Sequence, residues 1–166
     1  MKRKWIVAVI GGAECSDEEA QSAEQIGRGL AEHGCMLVCG GGSGVMEAAC
    51  RGASGAGGFT IGILSGLDED PSNPYLSLVV PTNLGGARNP LVVSTGQVVI
   101  AVGGSYGTLS EIGHALKLGR EVIGLHTWKL ESPAQQEGRI IHVESADEAV
   151  ERAHLILKKK ETRSYE

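Results

Sequence analysis

The sequence predicts an α/β protein with a single doubly wound domain: a mainly parallel sheet of about seven strands flanked by helices. Three observations predict it. Short apolar runs rich in Val and Ile alternate with helical segments along the chain, the order that gives a parallel sheet covered on both faces. Several runs are apolar without a break, as strands buried on both faces require. Glycine supplies 25 of the 166 residues and collects just after the expected strands; its usual share is only ~7%.

The elements follow in order. Trp5 to Ile10 reads as the first strand. Ser16 and Glu19 make the Ser-x-x-Glu signature of a capping box, which opens a helix. Ala20, Ala23, Ile26, Gly27 and Leu30 form its apolar stripe, and Gly34 ends it. Met36 to Cys39 is the second strand, followed by a glycine loop. A helix from about Val45 to Ala56 turns Val45, Met46, Ala49 and Ala53 inward. Phe59 to Leu64 is the third strand. In the loop over 65–76, Asp68, Glu69 and Asp70 stand among turn residues and read as solvated rather than metal-binding. Leu76 to Pro81 is the fourth strand. A short helix from near Arg88 to Thr95 precedes the fifth strand, Gln97 to Val102. After a second glycine loop come a helix from about Thr108 to Leu118 and the sixth strand, Val122 to Leu125. A loop with Pro133 leads to a last strand, Ile140 to Val143. Ser145 and Glu148 form a second capping box, opening a helix with Ala146, Ala149, Val150, Ala153 and Leu157 inward. With no repeat and no internal linker, residues 1–166 are expected to form one domain.

Charge and composition exclude whole classes. The net charge is −5 and the pI about 5.6, against the basic excess of a nucleic-acid surface. The basic runs, Lys2-Arg3-Lys4 and Lys158-Lys159-Lys160, lie at the termini and read as solubilising ends. No apolar run approaches the ~18 residues of a membrane helix, and the first run is too short for a signal-peptide core. Cysteines at 15, 35, 39 and 50 without an export signal imply free thiols in a cytoplasmic protein. Cys35 and Cys39 flank a strand and read as small buried hydrophobes, not a zinc pair.

Doubly wound sheets bind ligands at the carboxyl ends of their strands, where strand order reverses. Four glycine segments fall there: Gly11-Gly12, Gly40 to Gly44 with Ser43, Asn83-Leu84-Gly85-Gly86, and Gly103 to Thr108. Glycine lets backbone N–H groups approach an anion, and two of the loops feed helices whose N-termini favour phosphate. The candidate phosphate- or nucleotide-binding residues are Gly11, Gly12, Gly41, Gly42, Ser43, Gly44, Asn89, Gly103, Gly104, Ser105, Tyr106, Gly107 and Thr108. Neither loop has the Gly-Lys-Ser/Thr of a P-loop or the spacing of a dinucleotide fingerprint.

The charges narrow the site further. From Gly52 to Leu116 the only Lys or Arg is Arg88; from Pro71 to Arg120 the only Asp or Glu is Glu111. Both fall on the expected ligand edge. The Arg fork matches a phosphate or a planar group. Glu111 suits ribose hydroxyls, a held water, or positive charge at an anomeric carbon. Position alone leaves open a plain Arg88–Glu111 salt bridge, or a Glu complementing its helix N-terminus. Glu47 reads as a helix N-terminal acid and His114 as a partly buried helix residue. His33, His126, His142 and His154 lie off the ligand edge. No residues have metal-ligand spacing, no nucleophile elbow occurs, and no cofactor is required by any pattern.

Gly103-Gly104-Ser105-Tyr106-Gly107-Thr108-Leu109-Ser110-Glu111 resembles the PGGxGTxxE motif of the LOG (Lonely guy) family, and Gly40 to Ala48 resembles its first glycine loop and following helix. Arg88 matches the position of its active-site Arg. The resemblance runs from about Ile6 to Leu125 and implies a Rossmann-like nucleotide-binding domain. It implies a nucleoside 5′-monophosphate phosphoribohydrolase that releases free base and ribose 5-phosphate. Arg88 and Glu111 would then be the catalytic residues, Arg88 orienting the nucleotide and Glu111 acting at the ribose, with the Gly103 to Thr108 loop on the 5′-phosphate. Proteins of this kind have carried the name lysine decarboxylase; with lysines only at 2, 4, 117, 129, 158, 159 and 160, none in a ligand loop, that activity has no support. Val102 stands where the family has proline, and Arg88-Asn89 where its enzymes have Arg-Lys. Gly85 to Asn89 and Gly12-Ala13-Glu14-Cys15-Ser16 are similar to a sister branch that includes molybdenum cofactor carriers, which bind a phosphorylated pterin without hydrolysing it. Hydrolysis is therefore the first expectation; a non-catalytic molybdenum cofactor carrier or a nucleotide-sensing domain is the alternative. The expected partners are a nucleotide or phosphorylated pterin and further copies of the chain, as a dimer or tetramer, with no nucleic acid and no membrane.

Overall fold

The computed structural model describes residues 4–67, 73–131 and 140–163. The acidic trio Asp68, Glu69 and Asp70, the Pro133 loop and the ends of the chain lie outside these residues. The elements alternate as expected: β1 (Ile6–Gly11), α1 (Asp17–Glu32), β2 (Met36–Cys39), α2 (Val45–Gly55), β3 (Thr60–Leu64), β4 (Leu78–Pro81), α3 (Asn89–Thr95), β5 (Val98–Val102), α4 (Tyr106–Lys117), β6 (Glu121–Leu125), β7 (Ile140–Val143) and α5 (Ala146–Arg163). The seven strands form one sheet in the order β4-β3-β2-β1-β5-β6-β7, and every pairing is parallel. This is a Rossmann-like α/β fold. The chain builds outward from β1 to β4, then crosses back to β5, so strand order reverses between β1 and β5.

Alternation along the central strands divides the core. Val7, Val9, Leu37, Val98, Ile100 and Val102 face α1, α2 and α5; Ala8, Ile10, Val38, Val99 and Ala101 face α3 and α4. β5 is buried throughout, which is why its five residues are all apolar. The capping signal at Ser16 is realised in both directions, Ser16 Oγ accepting from Glu19 N–H and Glu19 from Ser16 N–H. At α5, Ser145 accepts from Glu148 N–H, but the Glu148 carboxylate reaches Glu144 N–H, one residue earlier than a simple box. β4 starts at Leu78, not Leu76, because the preceding residues are held by side chains: buried Thr60 donates to the Tyr75 carbonyl at 2.6 Å and accepts from Ser77 N–H at 2.9 Å. The short helix expected from near Arg88 to Thr95 is α3, and a tight helical turn, Gly85–Arg88, precedes it. Pro90 lacks an N–H and tolerates only a first-turn position, so the helix restarts at Asn89.

Two glycines let α1 and α2 touch backbone to backbone. A Cβ on Gly27 would run into the Ala49 carbonyl, and one on Gly52 into the Glu24 carbonyl. Gly27→Ala should therefore destabilise the protein by roughly 2 kcal/mol, as overpacking does, although alanine is the better helix former by about 1 kcal/mol. Denaturant midpoints check this; a variant as stable as the parent would show that the helices separate at no cost.

Candidate functional site

At the carboxyl edge, where β1 and β5 diverge, a cleft of about 320 Å³ opens. Its floor is Gly11, Gly12 and Ala13, following β1. One wall is the tight turn and the start of α3, with Gly85, Gly86, Arg88 and Asn89; the other is the start of α4, with Ser105, Gly107, Thr108 and Glu111. Met46 of α2 and Ser65 after β3 complete it. Gly103 and Gly104 take φ of 51° and 107°, a left-handed pair that turns the chain from β5 into α4 and that residues with a Cβ resist. Ser105 at the helix N-cap makes no side-chain bond to the first turn, which leaves backbone donors and the positive end of the helix dipole at the cleft.

Arg88 and Glu111 meet inside. Arg88 Nη1 lies 3.9 Å from Glu111 Oε1, and both side chains are largely buried. The guanidinium is tethered: it donates to Asn89 Oδ1 and, through Nη2, to the Gly40 carbonyl at 3.4 Å. A Cβ on Gly40 would lie 2.6 Å from Arg88 Nη2, so glycine at that point makes room for the tether. Burial pushes the Glu111 carboxyl up to about 7, against the opposing pull of Arg88. Among the described residues three side-chain atoms are buried without a hydrogen-bond partner: Arg88 Nε and Thr108 Oγ1, which belong to the cleft lining, and Arg120 Nε, which does not. Such orphans are rare in folded proteins and mark places where a ligand or water completes the set. No group of described residues could hold a metal ion.

Of the residues singled out from sequence, the cleft unites Gly11, Gly12, Arg88, Asn89, Ser105, Gly107, Thr108 and Glu111. Gly41, Gly42, Ser43 and Gly44 are not among the residues that line this cleft. Gly41 packs on Leu64 and donates its N–H to Cys39 Sγ. Gly42 accepts from Asn73, and the Ser43 hydroxyl is engaged by the Ala13 carbonyl at 2.9 Å. Gly44, at φ 64°, fits against the carbonyls of Gly12 and Ala13. Ser43 and Gly44 thus support the Gly12-Ala13 floor of the cleft. Gly103 is held by Leu125 and Thr127, Gly104 packs on Thr108, and Tyr106 is 80% exposed against Trp128; none of the three lines the cleft. His114, expected half-buried, is exposed, because α4 turns Thr108, Glu111, Ile112 and Ala115 inward. Ala13, Met46 and Ser65 were not singled out as site residues; each is an ordinary residue whose place depends on how the loops fold back.

The sequence profile of the SLOG cluster4 family matches residues 4–150. The chain belongs to the SLOG cluster4 family. An uncharacterised protein of Archaeoglobus fulgidus is 41% identical over 119 residues, which are 72% of this chain and 78% of that protein. Among solved structures, the molybdenum cofactor binding protein of the phototrophic bacterium Rippkaea orientalis is 33% identical, with a TM-score of 0.84 over 95% of this chain and 99% of the other. The Moco carrier protein of Chlamydomonas reinhardtii is 30% identical, also with a TM-score of 0.84 over 95% and 99%. This SLOG cluster4 chain thus matches both along almost their full length. No helix among its described residues is long and apolar enough to cross a membrane.

Proposed function

We propose that this protein binds a phosphorylated pterin of the molybdenum cofactor type and carries it without cleaving it. The observation that supports carriage over hydrolysis is the likeness, over nearly the whole fold, to one protein described as a molybdenum cofactor binder and another described as its carrier. The cleft has the parts such a ligand needs. The first turn of α4, with Ser105, Gly107 and Thr108, offers donors to a phosphate, and the tethered Arg88 fork adds a fixed cation. Gly11 and Gly12 allow close backbone approach.

Hydrolysis keeps one observation on its side, a carboxyl inside the cleft. With its pKa pushed to about 7, Glu111 is only about half ionised at neutral pH and is a poor stabiliser of an oxocarbenium-like centre. Purification from a cofactor-producing host tests the reading. Molybdenum and an oxidised-pterin fluorophore should co-purify near one per chain, and a panel of nucleoside 5′-monophosphates should release no free base. Base release that Glu111→Gln abolishes would overturn carriage in favour of a phosphoribohydrolase. Nucleotide bound tightly without turnover or pterin would favour a sensing domain.

The same reading includes self-assembly. β4 is an edge strand that leaves Leu78 and Val80 exposed, and a second copy of the chain would cover them. Light scattering should give at least a dimer; a monomeric mass at working concentration would contradict this.

A further inference from the structure

Glu111 is 7% exposed, yet among the described residues no hydrogen bond reaches either of its carboxyl oxygens. Its one partner, Arg88 Nη1 at 3.9 Å, is beyond hydrogen-bond distance, and the Arg88 fork is already engaged by Gly40 and Asn89. A carboxyl has two oxygens and about four acceptor sites, and here they open onto the cleft with no protein donor among the described residues. The carboxyl lines the cleft, so a ligand held there can supply donors to it in place of solvent. The rest of the described lining is glycine backbone, Ala13, small hydroxyls, Arg88, Asn89 and Met46, so among the described residues Glu111 supplies the one side-chain carboxylate there.

The donor set that matches a carboxylate is two parallel N–H groups in one plane. A 2-amino-4-oxopyrimidine ring presents that pair, the ring N–H beside the exocyclic amino group, and pterins and guanine share it. We propose that Glu111 is the ring-recognition residue of the cleft, selecting ligands by a 2-amino-4-oxopyrimidine edge. The inference rests on the carriage reading above and names the feature of the ligand that the site reads. It gives Glu111 a binding role in place of action at a sugar. It also sets the direction of proton linkage. Two N–H donors favour the ionised carboxylate, so binding below pH 7 releases a proton.

The test compares 6-hydroxymethylpterin monophosphate with 6-hydroxymethyllumazine monophosphate, in which an oxygen replaces the 2-amino group. Calorimetry is run on the parent protein and on Glu111→Gln, a variant of equal size. A bidentate contact of this kind discriminates by about tenfold to a hundredfold. The parent should prefer the pterin by that factor, and its affinity should rise from pH 6 to pH 8. Glu111→Gln, whose amide donor repels a 2-amino group but matches a 2-oxo group, should lose the pterin preference and turn toward the lumazine, without proton release. Equal binding of the two compounds by the parent, or a preference that survives in Glu111→Gln, overturns ring recognition and leaves carriage standing. Binding of neither compound overturns ring recognition too, while the co-purification experiment decides separately whether carriage falls with it. A pterin preference accompanied by proton uptake would place a phosphate, not a ring edge, at Glu111, and would also overturn it.

Discussion

Glu111→Gln should remove a stability loss of about 3 kcal/mol that the parent protein suffers between acid and alkaline pH. The carboxyl titrates near 7 in the fold and near 4.5 when unfolded. Between those values the unfolded chain has released its proton and the folded chain still holds it, so each pH unit shifts the balance toward unfolding by about 1.4 kcal/mol. The sign follows from the raised value. The folded state is favoured below pH 4.5, loses that advantage as pH rises through 7, and loses nothing more above about 8. Glutamine does not titrate, so the stability of the parent relative to the variant should fall across this window. In a protein of this size the change corresponds to roughly 6–12 °C in Tm. The pKa of His154 is lowered, chiefly by burial and then by His33 and Lys158, but this group is common to both proteins and cancels in the difference. Thermal unfolding at pH 5 and pH 8 measures the effect. Parallel curves for the two proteins would mean that Glu111 is solvated rather than buried.

That carboxyl was legible as a candidate from charge isolation alone: no other Asp or Glu lies between Pro71 and Arg120. Arg88 stood out in the same way, and a long stretch with a single cation and a single anion leaves few arrangements for the pair. The strands were legible because an unbroken apolar run such as Val98 to Val102 fits only a strand covered on both faces. The ends of α1 were legible because capping and a terminal glycine are local chemistry. The orientation of the loops was not. Ser43 and Gly44 carry the same glycine-and-hydroxyl signature as Ser105 and Gly107, yet they do not line the cleft. What decides between them is the contact from Ser43 to Ala13, thirty residues earlier in the chain. Met46 and Ser65 reach the cleft by the same kind of tertiary accident: nothing in a methionine on a helix face or a serine after a strand distinguishes it from its neighbours.

Arg88→Ala should weaken binding of a phosphorylated ligand about a hundredfold, the loss expected when a fixed, charge-assisted donor fork is removed. The magnitude rests on how the side chain is held. Gly40 and Asn89 fix the guanidinium before any ligand arrives, so little ordering remains to be done on binding, and Nε is left without a partner inside the fold. Arg88→Lys keeps the charge but gives up the planar fork; a single ammonium cannot hold the Gly40 carbonyl and a ligand together in the same geometry. It should fall between the parent and the alanine variant. The alanine variant should also carry a pH signature. Arg88 is the group that lowers the Glu111 pKa, so its removal drives that carboxyl further up. Stability should then be reduced more at pH 8, where a buried carboxylate would lack its counter-ion, than at pH 6, where Glu111 stays neutral. The double variant Arg88→Ala/Glu111→Gln should recover that alkaline loss without recovering affinity. If Arg88→Ala bound the ligand within threefold of the parent, Arg88 would be only a structural brace for the Gly40 loop, and the anion site would have to lie on the backbone donors of α4.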